Sequence, residues 1–121
     1  MKHASITTKT IGNEGELLVA VWLINQGFTL LARNFSAAQG EIDIIATKEN
    51  VVAFIEVKTR QSIHFPLSQV VTPSKQLKII KTAKIYLMRN QFVDSIYRFD
   101  VALVNKEQGS LEYIENAFQG A

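Results

Sequence analysis

The chain of 121 residues contains no cysteine and only two histidines. The absence of cysteine excludes disulfides, thiolate zinc sites and cysteine nucleophiles, and it is typical of a reducing compartment. His3 and His64 lack the partner spacing of a metal site or of a nucleophile with its base, so both stay unassigned.

Long apolar segments are also absent. No stretch approaches the roughly 18 apolar residues of a membrane-spanning helix, and the segment after Met1–Ser5 contains threonine and lysine instead of an apolar run with a cleavage site. We therefore expect no membrane association, no export and a cytoplasmic location. Lys and Arg number 13 against 11 Asp and Glu. This balance is compatible with a polyanionic partner without requiring one.

The length and composition are those of one globular domain. Hydrophobic residues make up 47% of the chain and charged residues 20%, with no internal repeat, low-complexity tract or long linker. We predict a single domain over residues 1–121, with residues 1–8 as a flexible N-terminal arm.

Apolar periodicity predicts a first helix from about Asn13 to Gln26, with Gly27 in the position of a left-handed C-terminal cap. Its predicted sheet-facing stripe contains Ala20, Leu23 and Ile24.

A second helix is predicted to begin after the N-cap Thr72 and Pro73 and to end near Arg89, following an irregular segment over residues 61–71. Its predicted buried stripe is Leu77, Ile80, Ala83 and Leu87.

Five apolar segments predict strands, at residues 28–33, 41–46, 51–59, 98–104 and 111–114. A loop is predicted over 34–40 and a polar turn over 47–50, and the last two strands should form a closing hairpin. The order is α-β-β-β-α-β-β. It predicts an α/β domain with helices packed against a central sheet, and the apolar third strand indicates that both faces are covered.

Charged residues embedded in two of these strands are the strongest indication of function. Asp43 lies among isoleucines, and Glu56 and Lys58 lie in a run of Phe, Ile and Val. Such groups are costly to bury unless they are paired or hold a metal. Because side chains alternate along a strand, Glu56 and Lys58 share one face.

The strand register decides whether Asp43 joins them. If the polar turn closes an antiparallel hairpin with Ala46 opposite Val51, Asp43 is a diagonal neighbour of Glu56 on the same face. Two carboxylates at that separation can bind one ion, whereas a slip of one residue would turn Asp43 to the other face.

Oxygen ligands favour Mg²⁺ or Mn²⁺. A cation held there would activate water and neutralise charge during attack on a phosphodiester, with Lys58 as a neighbouring positive charge. Glu16 is a candidate third acidic residue, because its spacing from Ala20 places it on the sheet-facing stripe of the first helix. The alternatives are a strand-end ion pair and, for Glu16, a carboxylate stabilising the helix N-terminus.

Four segments together resemble the YraN-like family of bacterial proteins and, more widely, PD-(D/E)xK nucleases of the restriction-endonuclease-like fold. They are Gly12–Glu16, Gly40–Ala46, Phe54–Arg60 and Arg98–Val101. The pattern Asp plus Glu-x-Lys alone is weak, but the four segments in this order are specific. The resemblance implies a central mixed sheet flanked by helices. It also implies similarity to the archaeal Holliday-junction resolvases, which are dimeric Mg²⁺-dependent nucleases.

Carried onto this chain, the resemblance implies that Glu16, Asp43 and Glu56 are metal ligands and that all three act in catalysis together with Lys58. Ile42 stands where the wider group has its name-giving proline. That proline shapes the backbone and is not a ligand.

Several basic residues are candidates for DNA contact. Arg60 has a planar guanidinium group that suits phosphate oxygens. Lys75, Lys78, Lys81 and Lys84 recur every third residue in the second helix. This row is either a solvated face or a track for a nucleic-acid backbone beside the site, and we assign Lys75 and Lys78 to nucleic-acid binding.

Other polar residues have plainer interpretations. Glu41 is expected to be a solvated or salt-bridged strand-edge residue, and Asp100 a structural partner of Arg98 or of a backbone group. Gln76 is either a surface amide or a group near the metal.

The sequence therefore predicts a metal-dependent endonuclease that hydrolyses DNA, selective for structure and acting on branched DNA. A homodimer would suit a symmetric junction. Two alternatives stay open: a non-catalytic nucleic-acid-binding or interaction module that keeps the nuclease fold, and hydrolysis of RNA or a small phosphodiester.

Overall fold

The computed structural model describes residues 8–60, 71–92 and 94–119. They form two helices and five strands: α1 (Thr8–Asn25), β1 (Thr29–Ala37), β2 (Gly40–Lys48), β3 (Val51–Arg60), α2 (Pro73–Arg89), β4 (Ile96–Asn105) and β5 (Ser110–Phe118). The predicted α/β class and the order α-β-β-β-α-β-β are confirmed.

The five strands form one sheet in the order β1-β2-β3-β4-β5. β3 and β4 run parallel, and the other neighbouring pairs run antiparallel. A parallel pair needs a long crossover, which here contains α2. The expected central mixed sheet is confirmed, and the closing hairpin of β4 and β5 is present with longer strands than predicted.

Helices cover both faces of the sheet. Leu23 of α1 packs with Ile55 of β3 on one face, and Tyr86 of α2 packs with Phe54 of β3 on the other. Successive residues of β3 thus point into two different cores, which is why this strand is apolar almost throughout.

The predicted C-terminal cap of α1 and the predicted N-cap of α2 are both present. Gly27 has a φ of 96°, and the Thr72 hydroxyl accepts a hydrogen bond from the Lys75 N–H at 3.3 Å. The predicted start of the first helix was wrong, because α1 already begins at Thr8.

The buried stripes were wrong at two positions. Ile24 is 54% exposed, because it lies about 100° around the axis from the buried Leu23. Leu77 is 53% exposed. It lies three residues before Ile80, which is at the edge of the buried face of α2, so Leu77 falls outside that face. Val19 and Tyr86 complete the buried stripes in their place.

The predicted loop at residues 34–40 is largely strand, since β1 extends to Ala37. Asn34 has a φ of 54°, which bends β1 and interrupts its alternation. β1 pairs Arg33 with Ile44 and Phe35 with Ile42, so this bend lies opposite Asp43. The interrupted pattern explains why the second half of β1 has no clear strand signature.

The predicted register between β2 and β3 was wrong by two residues. Ala46 pairs with Ala53 instead of Val51, because the turn is shorter than predicted and Lys48 still pairs with Val51. Glu49, with a φ of 56°, is in the turn. An even shift keeps Asp43 on the side of β2 from which it reaches Glu56. Ile44 and Ile55 form the last pair of this register, and Asp43 and Glu56 are the next residues of the two strands.

Two predictions fall wholly or mainly on residues outside the described ranges: the N-terminal arm over 1–8, of which only Thr8 is described, and the irregular segment over 61–71, of which only Val71 is described. In the part of the chain that the structure describes, neither helix is long and apolar enough to cross a membrane.

Candidate metal centre

A cavity of about 540 Å³ lies between β2, β3 and the first turns of α2. Its charged and hydroxyl-bearing lining includes Glu41, Asp43, Glu56, Ser74, Lys75 and Lys78. Asp43 and Glu56 therefore reach one cavity, as the sequence predicted, and two lysines of α2 lie beside them.

Asp43 is positioned by the end of the β2–β3 ladder. The last regular pair is Ile44 with Ile55, and beyond it the Asp43 Oδ2 accepts a hydrogen bond from the Val57 N–H at 2.8 Å. A side-chain oxygen thus satisfies a strand N–H and holds the carboxylate against β3. Ile42 packs on the α2 side and Ile44 on the α1 side, so the strand alternation breaks at Asp43.

The surroundings of Asp43 disfavour its charge. Burial, followed by the negative charge of Glu56, raises the pKa of Asp43 from 3.8 to about 6, against the lowering effects of the Val57 hydrogen bond and the positive charge of Lys75. Two carboxylates in partial burial repel each other, and a cation between them would relieve that repulsion.

Glu56 is paired with a lysine that comes from α2. The Lys75 Nζ lies 2.9 Å from the Glu56 Oε1, with side-chain exposures of 42% and 11%. Sequence reasoning assigned Lys75 to DNA and missed this pair. One signal was available: Lys75 is three residues after the N-cap Thr72, in a first turn without an acidic residue. A cation is unfavourable there unless a carboxylate compensates it.

Glu16 faces the sheet as predicted, but its nearest cation is Arg33. The Arg33 Nη2 lies 3.7 Å from the Glu16 Oε1, and this oxygen has no hydrogen-bond partner among the described residues. Burial and the charge of Asp43 raise the pKa of Glu16, while Arg33 opposes them. Sequence reasoning did not single out Arg33, since nothing local links it to α1.

Asp43 and Glu56 line the cavity together with the exposed Glu41, whereas Glu16 does not line it. Within the described ranges, no group of three acidic, histidine or cysteine side chains is arranged to hold a metal ion. A ligand role for Glu16 therefore stays a prediction that would need its side chain to move towards Asp43.

Of the other basic residues predicted to act at the site, some line the cavity and some do not. Lys58 shares the sheet face of Glu56 by alternation, but it is exposed and does not line the cavity. Lys78 lines the cavity, whereas Lys81 and Lys84 are exposed and do not, because a step of three residues rotates the side chain by about 60°. The side chain of Arg60 lies outside the described residues.

Asp100 is structural, as expected. It is fully buried and accepts hydrogen bonds from the Arg98 Nε at 3.0 Å, the Tyr113 hydroxyl at 2.5 Å and the Asn116 N–H at 2.9 Å. Burial, then the charge of Asp100, raises the pKa of Tyr113 far above its ordinary value. This network joins β4 to β5 away from the cavity.

The two other polar residues are also placed. Glu41 is exposed at the margin of the cavity, which agrees with a solvated strand edge. Gln76 donates a hydrogen bond from its Nε2 to the Val71 carbonyl at 3.0 Å. Its amide therefore supports the chain before α2.

The cavity suits one divalent cation of the magnesium type. Mg²⁺ is usually held by one or two carboxylates and keeps several positions for water and phosphate oxygens. Asp43 and Glu56 supply the carboxylates, the cavity has room for the rest, and the ammonium group on Glu56 shows that the site accepts positive charge.

Comparisons with known proteins identify relatives along most of the chain. The family model described as "Uncharacterised protein family UPF0102" matches residues 15–104. A UPF0102 protein of Caldanaerobacter subterraneus subsp. tengcongensis is 41% identical over 119 residues, covering 93% of this chain and 98% of the relative. One from Clostridium botulinum (strain Loch Maree) is 44% identical over 117 residues, covering 92% and 95%. One from Trichlorobacter lovleyi is 40% identical over 115 residues, covering 91% of each.

The matched region runs from Gly15 in α1 to Val104 in β4 and includes Asp43 and Glu56. It confirms the YraN-like family indicated by the sequence motifs, while the wider kinship to PD-(D/E)xK nucleases and resolvases stays a prediction. This chain belongs to the UPF0102 family.

Proposed function

We propose that this protein is a metal-dependent endonuclease that hydrolyses DNA phosphodiesters. The observation that carries the proposal is the pair Asp43 and Glu56, which face one open cavity at the end of the β2–β3 ladder, with Lys75 on Glu56. A partly buried carboxylate with a raised pKa beside a second carboxylate is typical of sites that bind cations or transfer protons.

Each residue has a distinct part in the proposed reaction. Asp43 is held in place by the Val57 N–H, and with Glu56 it forms the cation site. When bound, Mg²⁺ or Mn²⁺ supplies Lewis-acid chemistry at a phosphoryl oxygen. Lys58, exposed beyond Glu56 on the same face, provides positive charge to the attacked phosphate and orients the attacking water.

The substrate follows from the surroundings of the cavity. The open side of the cavity admits a phosphodiester, and Lys78, which lines the cavity, offers an ammonium group to the phosphates of the DNA backbone. The preference for branched DNA rests on the resemblance to junction resolvases. A two-fold homodimer, in which two cavities meet two strands, is part of the same proposal.

The test compares cleavage of labelled four-way junctions, linear duplex, single-stranded DNA and RNA with Mg²⁺ or Mn²⁺ and with EDTA. We expect metal-dependent cutting of junctions by the parent and its loss in Asp43→Ala and Lys58→Ala. Glu112→Gln, which neutralises an exposed strand carboxylate, is the control and should cut normally.

Each alternative gives its own result. Binding of DNA without any cutting that Asp43→Ala removes would contradict the enzyme and favour the non-catalytic module. Metal-dependent turnover of RNA or a small phosphodiester alone would keep the chemistry and change the substrate.

A further inference from the structure

The Lys75–Glu56 ion pair has a role that follows from its position. We propose that Lys75 is an exchangeable counter-ion: its ammonium group neutralises Glu56 in the metal-free protein, leaves when a divalent cation binds, and then contacts a phosphate oxygen of the DNA. This inference rests on the proposed function and adds a positioning residue to it.

Nothing local favours a lysine at this position. Lys75 lies in the first turn of α2, where the helix dipole is positive, and that turn contains no acidic residue. Its stabilising partner is Glu56 on β3, at 2.9 Å. The Glu56 side chain is 11% exposed, so without Lys75 it would be a largely buried carboxylate close to Asp43.

The lysine and the metal compete for the same group. The Lys75 Nζ forms an ion pair with the Glu56 Oε1, an oxygen that a magnesium ion would approach to about 2.0 to 2.1 Å. Two cations on one carboxylate repel each other. The lysine is able to leave, because its side chain is 42% exposed and its four-carbon stem is flexible.

The charges of the cavity explain where the ammonium group goes. Asp43, Glu56 and Lys75 together carry a net charge of about −1 when both carboxylates are ionised. A divalent cation that binds while Lys75 departs leaves the centre neutral, with a free ammonium group on the cavity wall. A phosphodiester brings one negative charge, which Lys75 then pairs with. Metal and DNA binding should therefore favour each other.

The experiment compares the full-length parent with Lys75→Met and Lys81→Met by titration calorimetry with Mn²⁺ alone. Methionine keeps an unbranched side chain without the charge, and Lys81 offers the same substitution on an exposed part of the helix away from the cavity. We expect Mn²⁺ to bind about fivefold tighter to Lys75→Met, the upper end for a partly exposed ion pair, and unchanged to Lys81→Met.

A second measurement uses only the parent. Amine acetylation followed by mass spectrometry should show Lys75 becoming more reactive when Mn²⁺ is added, with Lys81 reacting equally in both conditions. This readout tests the exchange even if Lys75→Met does not fold.

The outcomes separate this inference from the proposed function. The exchange is overturned if Mn²⁺ binds the parent but binds Lys75→Met no tighter, and if the reactivity of Lys75 is unchanged by Mn²⁺. That result would not contradict the proposed endonuclease function. Absence of Mn²⁺ binding to both proteins overturns the proposed metal centre and the exchange with it.

Discussion

Replacement of Asp43 by asparagine should stabilise the metal-free protein at neutral pH. Asparagine removes the charge that burial and Glu56 disfavour, and its Oδ1 can still accept the hydrogen bond from the Val57 N–H. A residue of the cation site is thus expected to cost stability when no cation is bound.

The size of the effect follows from the pKa. A rise from 3.8 in the unfolded chain to about 6 in the folded protein corresponds to roughly 3 kcal/mol, which is an upper value for Asp43→Asn. Because the folded pKa is the higher one, the protonated group contributes its full stability below about pH 4. That contribution is lost as the pH rises through 6. The free energy of unfolding of Asp43→Asn should therefore exceed that of the parent by about 1 to 3 kcal/mol at pH 7.5 and match it at pH 3.5.

Urea denaturation in EDTA at the two pH values measures this difference, with Glu112→Gln as the exposed control that should change little at either. The reasoning is refuted if Asp43→Asn is less stable than the parent at pH 7.5, or if its gain is the same at pH 3.5.

Three further substitutions test the fold that positions the cavity, each by urea denaturation. Asp100→Asn should lower the free energy of unfolding by about 3 kcal/mol, because Arg98 loses its buried partner; an equal loss in Glu112→Gln would contradict this. Gly15→Ala should cost about 1 to 3 kcal/mol, since its new Cβ would clash with the Thr59 Oγ1, and adding Thr59→Ala should restore stability. Thr72→Ala should cost about 1 kcal/mol by removing the α2 cap, whereas Thr72→Ser should cost little.

Periodicity in the sequence was enough for the order of the elements and for the two faces of β3. β3 is apolar on both faces because two helices cover it, and the apolar run from Val51 to Thr59 predicted this cover. The register between β2 and β3 could not be predicted, since it depended on whether Lys48 ended β2 or entered the turn. The error was even, so Asp43 and Glu56 still met.

Partners of the site residues could not be predicted from local patterns. The Glu56–Lys75 pair joins a strand to the following helix, and the Glu16–Arg33 pair joins a helix to a strand. Both depend on the angle at which a helix crosses the sheet, which no spacing in the sequence encodes. The structural role of Asp100 was predictable, since a buried strand aspartate beside Arg98 requires hydrogen-bond donors. The hydrogen bond from the Tyr113 hydroxyl was not predicted.

The most direct test of the account is calorimetric titration of the metal-free protein with Mn²⁺, in parallel with Asp43→Asn and Glu56→Gln. Mn²⁺ should bind saturably to the parent, and this binding should be lost or at least tenfold weaker in each variant, since two carboxylates share one ion. Binding that is equally strong in the parent and in both variants would contradict it.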